Sequence, residues 1–202
     1  YVKILNGNPK EDYDICVLPI WIKKRKGILN QLIRLDFAQI VLATFVFKGN
    51  LGSGANLVVK RSSFNQYSQN YESQILSGDD YFLLKECKKQ KGRILHIYDK
   101  ELLVVTDAPS SIKDLILQRS RWIKKSFLKG GVLENIQSLF VISYSFLTYL
   151  LIINGIVFTE FKYFYLLIFK FIIDLLIFIP VLYANKELRL LYLLPLVELV
   201  YP

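Results

Sequence analysis

The chain has 202 residues, of which 53% are hydrophobic and 14% are aromatic, and this composition excludes disorder along its whole length. The net charge of +9 is uneven, because residues 1–131 carry 22 lysines and arginines against 12 acidic residues, whereas residues 132–202 carry 4 against 5. A basic part followed by an apolar part predicts a cytoplasmic domain on an anionic membrane, and the apolar part argues against nucleic acid as a partner.

The first fifty residues predict a short strand, a basic patch and a long helix. Residues 15–20 form a brief apolar run of strand length. The basic patch at residues 23–27 is either a solvated loop or a contact for lipid head groups. Residues 28–47 have apolar side chains near helical spacing, interrupted by Arg34 and Asp36. This pattern favours an interfacial or packed helix over one that crosses the bilayer.

The middle of the chain mixes predicted strands with one predicted helix. The predicted strands are residues 55–59, 93–98 and 102–106, and a region rich in Ser, Asn and Gln occupies residues 62–77. Asp79 and Asp80 open a helix that runs to about residue 90, because acidic side chains suit a helix N-terminus and lysines suit its C-terminal end. Gly92 is the expected stop of this helix.

The last part of the chain predicts a basic helix followed by membrane segments. The basic helix covers residues 110–129, with Ser110 or Ser111 as its cap, and is expected to lie in the membrane interface. About 20 apolar residues are enough for a helix to span a bilayer. The segments predicted in the membrane are residues 136–158, residues 161–183 and a shorter third segment at residues 188–201.

The charges that flank the two longer segments predict their orientation. Cations lie before the first segment and after the second, at Lys124, Lys125, Lys129, Lys186 and Arg189. Both flanks are then cytoplasmic, with a short external turn between the segments. The sequence therefore predicts a cytoplasmic part at residues 1–131 and a membrane region at residues 132–202, in a multi-pass protein of the inner, or plasma, membrane.

Two charged residues lie inside the second membrane segment. Lys170 and Asp174 are four residues apart, which puts them on one helical face and within pairing distance. Either they satisfy each other while facing the other helices, or they form a polar lining of a translocation path. Both interpretations stay open at this stage.

The cysteines and the histidine do not follow a metal-site or disulfide pattern. Cys16 and Cys87 both lie in the basic part, where reduced cytoplasmic thiols are expected, and Cys87 is expected to pack within its helix. His96 is the only histidine and alternates with apolar neighbours in a strand-like run. This setting is typical of a structural or exposed residue rather than a metal ligand.

Two motifs carry side chains suited to sugar transfer. Asp79 and Asp80 either cap a helix or supply a general base, since a base for a sugar hydroxyl needs a carboxylate at the lip of a cleft. Gln118 and Arg121 offer donors to phosphate oxygens, and Trp122 offers a flat face on which sugar rings pack. Positive charge of this kind stabilises a departing diphosphate. The alternative for the second motif is an interfacial helix with an aromatic and basic face.

The order of these motifs resembles the family 2 glycosyltransferases with a membrane-bound acceptor, of which cellulose, chitin and hyaluronan synthases are the best-known relatives. The shared pattern runs Gly-Ala-Asn, Gly-Asp-Asp and Gln-Arg-Ser-Arg-Trp, and membrane helices follow it. The resemblance covers roughly residues 10–160. It implies an α/β fold, namely the C-terminal part of a GT-A-type nucleotide-sugar transferase domain followed by transmembrane helices.

The resemblance also implies a role for each matched residue. Asp80 would be the general base that deprotonates the acceptor hydroxyl in an inverting transfer, and Asp79 stands where the family more often has Glu. Ala55 and Asn56 would lie beside the acceptor pocket. The residues expected to line the donor diphosphate and the acceptor end are Gln118, Arg119, Arg121 and Trp122. The implied partners are a nucleotide-sugar donor, a lipid-linked or glycan acceptor, and membrane lipids.

One departure from the family concerns its divalent metal, Mg²⁺ or Mn²⁺, which an Asp-x-Asp motif holds together with the donor. Here Asp12-Tyr13-Asp14 precedes the Gly-Ala-Asn segment in a charged loop, so we interpret it as a chance match. We expect the metal ligands to lie outside this chain, which has no methionine and is expected to be an inactive part of a longer enzyme. The alternative function is a non-catalytic membrane scaffold or transporter subunit with a basic lipid-binding face.

Overall fold

The computed structural model describes residues 13–46, 52–68, 79–129 and 132–200. Within these ranges the protein is a mixed α/β structure in which helices predominate, and this confirms the predicted fold class at that level. The chain divides into two compact units, the first made of Tyr1–Lys23 and Ile40–Asp107 and the second of Lys24–Gln39 and Ala108–Pro202. This division follows contacts rather than the boundary of a membrane, so the predicted division after residue 131 stays a prediction.

Five short strands and seven α-helices make up the regular structure of the described ranges. The strands are β1 (Ile15–Val17), β2 (Ile20–Ile22), β3 (Leu57–Val59), β4 (Ile94–His96) and β5 (Val104–Thr106). The helices are α1 (Ile28–Val46), α2 (Arg61–Ser68), α3 (Asp79–Lys89), α4 (Ile112–Lys129), α5 (Val132–Phe158), α6 (Phe161–Ala184) and α7 (Leu194–Val200). Short 3-10 turns lie at Gly54–Asn56, Lys100–Leu102 and Leu188–Leu193.

The strands form two small sheets in the first unit. β1 lies between β3, to which it is antiparallel, and β4, to which it is parallel, whereas β2 pairs with β5 in parallel. The single strand predicted at residues 15–20 is therefore corrected to two strands. Pro19 separates them because it has no N–H to donate, and its carbonyl accepts from the N–H of Val104 at 3.1 Å.

The Gly-Ala-Asn segment forms a 3-10 turn rather than the start of a strand. Ser53 caps this turn, since its hydroxyl oxygen accepts from the N–H of Ala55 at 3.3 Å. The strand predicted at residues 55–59 is thereby shortened to β3. The polar region predicted at residues 62–77 contains α2, and residues 69–78 lie outside the described ranges.

The core of the first unit packs β1 against α2 and α3. Its buried side chains are Ile15, Val17, Tyr67, Leu83, Leu84 and Cys87, with Leu57, Val59 and Ile94 packed against them. Burial of an aliphatic or aromatic side chain of this size contributes about 1.5–3 kcal/mol relative to its exposure. This packing fixes α3 against the sheet and so fixes the position of Asp80, which lies in its first turn.

The second unit is helical. α5 and α6 form the predicted hairpin, and Thr159, with a φ of 54°, lies in the turn between them. Gly155 allows close packing of the hairpin, since a Cβ there would lie 3.2 Å from two ring carbons of Phe164. After α6 the chain turns at Lys186, with a φ of 57°. The third apolar segment, predicted at residues 188–201, is a 3-10 turn followed by the short helix α7.

Two helices are long and apolar enough to cross a membrane, Ile28–Phe45 within α1 and Phe161–Ala184, which is α6. The described part of α5 adds a shorter apolar stretch, Ile142–Phe158. Half of the residues in this stretch of α1 are buried inside the protein, whereas only 28% of those in α6 are buried. α6 leaves most of its apolar surface uncovered, and the prediction of an interfacial or packed helix at residues 28–47 stays a prediction.

Candidate active site

Asp80 lies in the first turn of α3, where its carboxylate accepts two backbone hydrogen bonds. Oδ2 accepts from the N–H of Gly54 at 2.9 Å, and Oδ1 accepts from the N–H of Tyr81 at 2.8 Å. Each oxygen can accept a second hydrogen bond, so a ligand hydroxyl could donate to either. Asp79 is the first residue of α3, and its side chain lies outside the described part of the structure.

The turn that presents Gly54 to Asp80 is anchored by Asn56. The Asn56 side chain is buried, and its Nδ2 donates to the carbonyl of Pro19 at 2.7 Å and to that of Leu102 at 2.8 Å. Two backbone carbonyls from separate segments are thereby satisfied by one amide, which is the usual condition for burying polar groups. The side chain of Asn56 therefore positions the turn.

Ala55 differs from Asn56 in its surroundings, although both are matched to the acceptor pocket by the resemblance. Ala55 is exposed at the tip of the turn, whereas the Asn56 amide faces backbone carbonyls. A ligand beside Asp80 could touch Ala55, and Asn56 would act on that ligand through the position of the turn. The acceptor pocket itself stays a prediction.

Two contacts hold Arg119 of the Gln-Arg-Ser-Arg-Trp segment on α4. Its guanidinium forms an ion pair with the buried carboxylate of Asp36, on α1. The same guanidinium lies over the Trp122 ring, with Cζ 4.8 Å from the ring centroid. Arginine suits both contacts, because its planar group can donate to a carboxylate and stack on an aromatic face at the same time. The pair Arg119–Asp36 therefore supports the ring of Trp122.

The other side chains of this segment are more accessible. Arg121 and Trp122 follow Gln118 by three and four positions, so both lie on the face of α4 that carries Gln118. Arg121 is exposed, Trp122 is 37% exposed and Gln118 is half-buried. This face can offer a guanidinium fork to phosphate oxygens and a flat apolar ring to a sugar.

The start of α4 is set by a cap of the kind that the sequence predicts. The hydroxyl oxygen of Ser111 accepts from the N–H of Asp114 at 3.1 Å. In return, the hydroxyls of Ser111 and Ser110 donate to Asp114 Oδ2 at 2.7 and 3.0 Å, and these bonds lower the pKa of the Asp114 carboxyl. Reciprocal bonds of this type fix the first turn of a helix. They set the rotation at which α4 presents its later side chains.

Asp14, the second aspartate of the Asp-x-Asp match, has structural partners. Its carboxylate accepts from the Ser63 hydroxyl at 2.5 Å and from the N–H of Arg93 at 2.8 Å. These two hydrogen bonds, aided by the charge of Lys60, hold the pKa of the Asp14 carboxyl below its usual value. Asp14 therefore fits a metal ligand poorly, which supports the interpretation as a chance match; Asp12 lies outside the described ranges.

The described ranges contain no group of three or more His, Cys, Asp or Glu side chains that could hold a metal ion. The described residues therefore offer no site for the divalent metal that the resemblance implies. His96 lies edge-on to the ring of Phe45, with the centroids 6.4 Å apart. Cys16 and Cys87 are free and buried, and burial raises the pKa of the Cys16 thiol to about 11, so Cys16 is a poor nucleophile.

The predicted site residues thus fall into two groups. Gly54 and Asp80 meet in the first unit, and Arg119 meets Trp122 in the second. Sequence reasoning does not single out Asp36, the ion-pair partner of Arg119. An acidic residue within a largely apolar helix is a signal for a buried ion pair, but its partner lies on a helix far away in the sequence.

No protein-family model matches the chain, and no curated protein matches it either.

Proposed function

We propose that this chain is the acceptor side of a membrane-bound, inverting family 2 glycosyltransferase with a GT-A-type catalytic domain. The observation that supports this proposal most directly is the hydrogen bond from the N–H of Gly54 to Asp80 Oδ2. It joins the Gly-Ala-Asn and Gly-Asp-Asp motifs around one carboxylate, although Gly54 and Asp80 are 26 positions apart. Two motifs that meet at one carboxylate are compatible with a shared chemical role.

In the proposed reaction, Asp80 is the general base. An acceptor hydroxyl donates to an Asp80 oxygen, and its own oxygen attacks the anomeric carbon of the donor sugar. The bond from that carbon to the nucleoside diphosphate breaks on the opposite side, the diphosphate leaves with the electron pair, and the proton passes to Asp80. A single displacement inverts the anomeric configuration. The two backbone donors hold the carboxylate in one orientation before the acceptor arrives.

The proposed leaving-group side is the exposed face of α4. Negative charge grows on the diphosphate as the glycosidic bond breaks, and a fixed guanidinium stabilises that charge. Arg121 is exposed and can approach the diphosphate, and Gln118 can add a neutral donor. Trp122 provides the surface for the sugar or for the acceptor end, and Arg119 keeps its ring in place. The donor nucleotide and its metal would be held by other residues of a longer enzyme.

The proposed location is the plasma membrane, as a multi-pass protein with its catalytic part in the cytoplasm. α6 is 24 residues long, has a mean hydropathy of 2.4 and leaves most of its side chains uncovered by protein. Such a surface suits lipid tails. Lys186 and Arg189, which follow α6, would lie on the cytoplasmic side. The acceptor would then be a lipid-linked sugar or a growing glycan at the membrane surface.

The test is Asp80→Asn in the full-length protein. Asn keeps the size of the side chain but cannot take up the proton, so release of nucleoside diphosphate should fall by about a hundredfold or more. Donor binding, measured separately by equilibrium dialysis, should be retained. Asp107→Asn is the matched control, because it removes an exposed carboxylate from the same unit. Equal turnover by the wild type and the Asp80 variant would remove the mechanism.

A non-catalytic membrane scaffold or transporter subunit is the second candidate. The basic patch at residues 23–27 favours it, because cations next to a bilayer attract anionic lipids without any chemistry. A donor screen on the full-length protein separates the two functions. Release of nucleoside diphosphate from one nucleotide-sugar supports the transferase, and its absence with every donor supports the scaffold.

A further inference from the structure

A cavity of about 530 Å³ lies in the second unit, between the start of α1 and the 3-10 turn that follows α6. Its lining residues are Lys24, Arg25, Lys26, Gln31, Arg34, Arg189 and Tyr192. A cavity of this size lies within the range of small-molecule sites. It is separate from the side chains assigned to sugar transfer, none of which is among these lining residues.

The charge around this cavity is unbalanced. Five of its seven lining residues are cations and none of the seven is acidic. The nearby carboxylate of Glu187 forms an ion pair with Arg34, and Arg189 Nε lies 3.6 Å from Glu187 Oε2. The lining itself carries no carboxylate, so its five cations give the cavity a positive potential. Such a potential attracts an anion with more than one charge or several acceptor oxygens.

Arg34 gives an independent indication that an anion belongs in the cavity. It is 1% exposed, yet its Nε and Nη1 have no hydrogen-bond partner among the described residues. Its ion pair with Glu187 is made through Nη2 alone. A buried charged donor without an acceptor is costly, and a guanidinium presents its donors as a planar fork that matches phosphate oxygens.

Gln31 adds a neutral donor at the same place. The Tyr192 hydroxyl donates to Gln31 Oε1 at 2.6 Å, which orients the amide and leaves its NH₂ group to donate. Neutral donors beside arginine and lysine are a common setting for phosphate oxygens. The cavity therefore combines a buried fork, an oriented amide and exposed cations at Lys24, Lys26 and Arg189.

We propose that this cavity binds a phosphate group carried by a larger molecule, either the head group of an anionic lipid or a soluble phosphate ester. This site is additional to the proposed transferase and does not depend on it. Arg34 would hold the phosphate through its guanidinium, which lines the cavity, and the exposed cations would supply charge. The remaining volume accommodates the atoms that carry the phosphate.

The experiment measures two probes on the full chain purified in a neutral detergent. Native mass spectrometry compares retention of phosphatidylglycerol with that of phosphatidylcholine, and equilibrium dialysis measures binding of inorganic pyrophosphate. The double variant Lys24→Gln/Lys26→Gln should lose about fivefold in affinity for each cation removed. The matched control, Lys88→Gln/Lys89→Gln, removes two exposed cations from α3 and should change affinity less than about twofold.

The variant Arg34→Lys distinguishes a specific phosphate site from nonspecific electrostatic attraction of anions. Lysine keeps the positive charge but replaces the fork with a point charge, so binding should fall although the net charge is unchanged. Preferential retention of phosphatidylglycerol identifies a lipid source, and binding of pyrophosphate identifies a soluble one. The proposal is overturned if phosphatidylcholine is retained equally and pyrophosphate does not bind, or if the control pair weakens binding as much as the Lys24/Lys26 pair.

Discussion

Two buried cations of the second unit, Lys170 and Arg34, differ in how their charge is satisfied. Lys170 donates to Asp174 Oδ2 at 2.8 Å and forms an ion pair with Glu198, and its Nζ lies 4.6 Å from the ring centroid of Tyr144. Arg34 has one ion-pair partner, Glu187, and two nitrogens without a partner in the described structure. Both side chains are almost fully buried.

The cluster around Lys170 is completed by groups of the chain itself. The Tyr144 hydroxyl donates to Asp174 Oδ1 at 3.0 Å, and the Thr148 hydroxyl donates to Glu198 Oε2 at 3.0 Å. These contacts tie α5, α6 and α7 together. They favour the interpretation that Lys170 and Asp174 are satisfied within the bundle over the interpretation as a translocation path.

Lys170 and Arg34 represent two roles of a buried positive charge. A cation whose donors are all met within the protein serves the fold, because no donor remains for a ligand. A cation whose donors are partly unmet, in a cavity with a surplus of the same charge, has capacity for an anion. Three predictions test this distinction, in order of decreasing effect on stability.

Lys170→Met is expected to lower the free energy of unfolding by about 3–5 kcal/mol, because it leaves the buried Asp174 and the partly buried Glu198 without a counter-charge. The measurement is thermal or denaturant unfolding of the purified protein in detergent. Lys162→Met, at an exposed position of the same helix, is the control and should change stability by less than about 0.5 kcal/mol. Similar losses in both variants would show that the internal cluster does not stabilise the bundle.

Asp14→Asn extends the comparison to the first unit, where the Asp14 carboxylate accepts hydrogen bonds from the Ser63 hydroxyl and from the N–H of Arg93. Loss of hydrogen bonds to a charged group should cost about 2 kcal/mol at neutral pH. Because the pKa of Asp14 is lowered on folding, its contribution is present above the unfolded pKa of about 3.9 and is lost as the pH falls through the folded pKa.

The pH dependence of unfolding provides the check on Asp14. The stability gap between the wild type and the Asp14→Asn variant should be widest near neutral pH and should narrow below about pH 4. Glu160→Gln, which removes an exposed carboxylate, is the control and should change stability by less than about 0.5 kcal/mol at neutral pH. A constant Asp14 gap down to pH 2 would contradict a role for the ionised carboxylate.

Lys24→Gln should have the smallest effect on stability, within about 0.5 kcal/mol, although it lies at the cavity of Arg34. Its side chain is exposed and its proposed role is toward a ligand. Unfolding measured in detergent without phosphate or anionic lipid checks this. A loss comparable to that of Lys170→Met would place Lys24 with the structural cations and weaken the distinction.

Elements with a clear local pattern are those that the sequence predicts well. The helix predicted at residues 28–47 spans Ile28–Val46, and the one predicted at residues 110–129 spans Ile112–Lys129. Both have repeating apolar positions, and the second also has a serine cap whose partner lies three residues away. The hairpin of α5 and α6 follows in the same way from two apolar runs around Thr159.

Features that depend on distant contacts are the ones that sequence reasoning misses. An apolar run at residues 15–20 is compatible with one strand, and only the pairing of β2 with β5 reveals the break at Pro19. The buried amide of Asn56 and the ion pair of Asp36 with Arg119 join segments far apart in sequence. The match of motifs predicts Asp80 as the reactive carboxylate, but the bond from Gly54 appears only in three dimensions.

The Lys170 cluster has a consequence for how the chain is made. In the proposed membrane protein, the translocon would receive α6 before α7 has left the ribosome, so Glu198 would be absent when Lys170 enters the bilayer. Lys170 and Asp174 are one helical turn apart and can neutralise each other within the nascent helix. In the proposed membrane protein, α7 has seven residues and is too short to cross the bilayer by itself. It would join α6 later, through the ion pair between Glu198 and the ammonium of Lys170. In the proposed membrane protein, the order of synthesis and the order of ion pairing would therefore coincide.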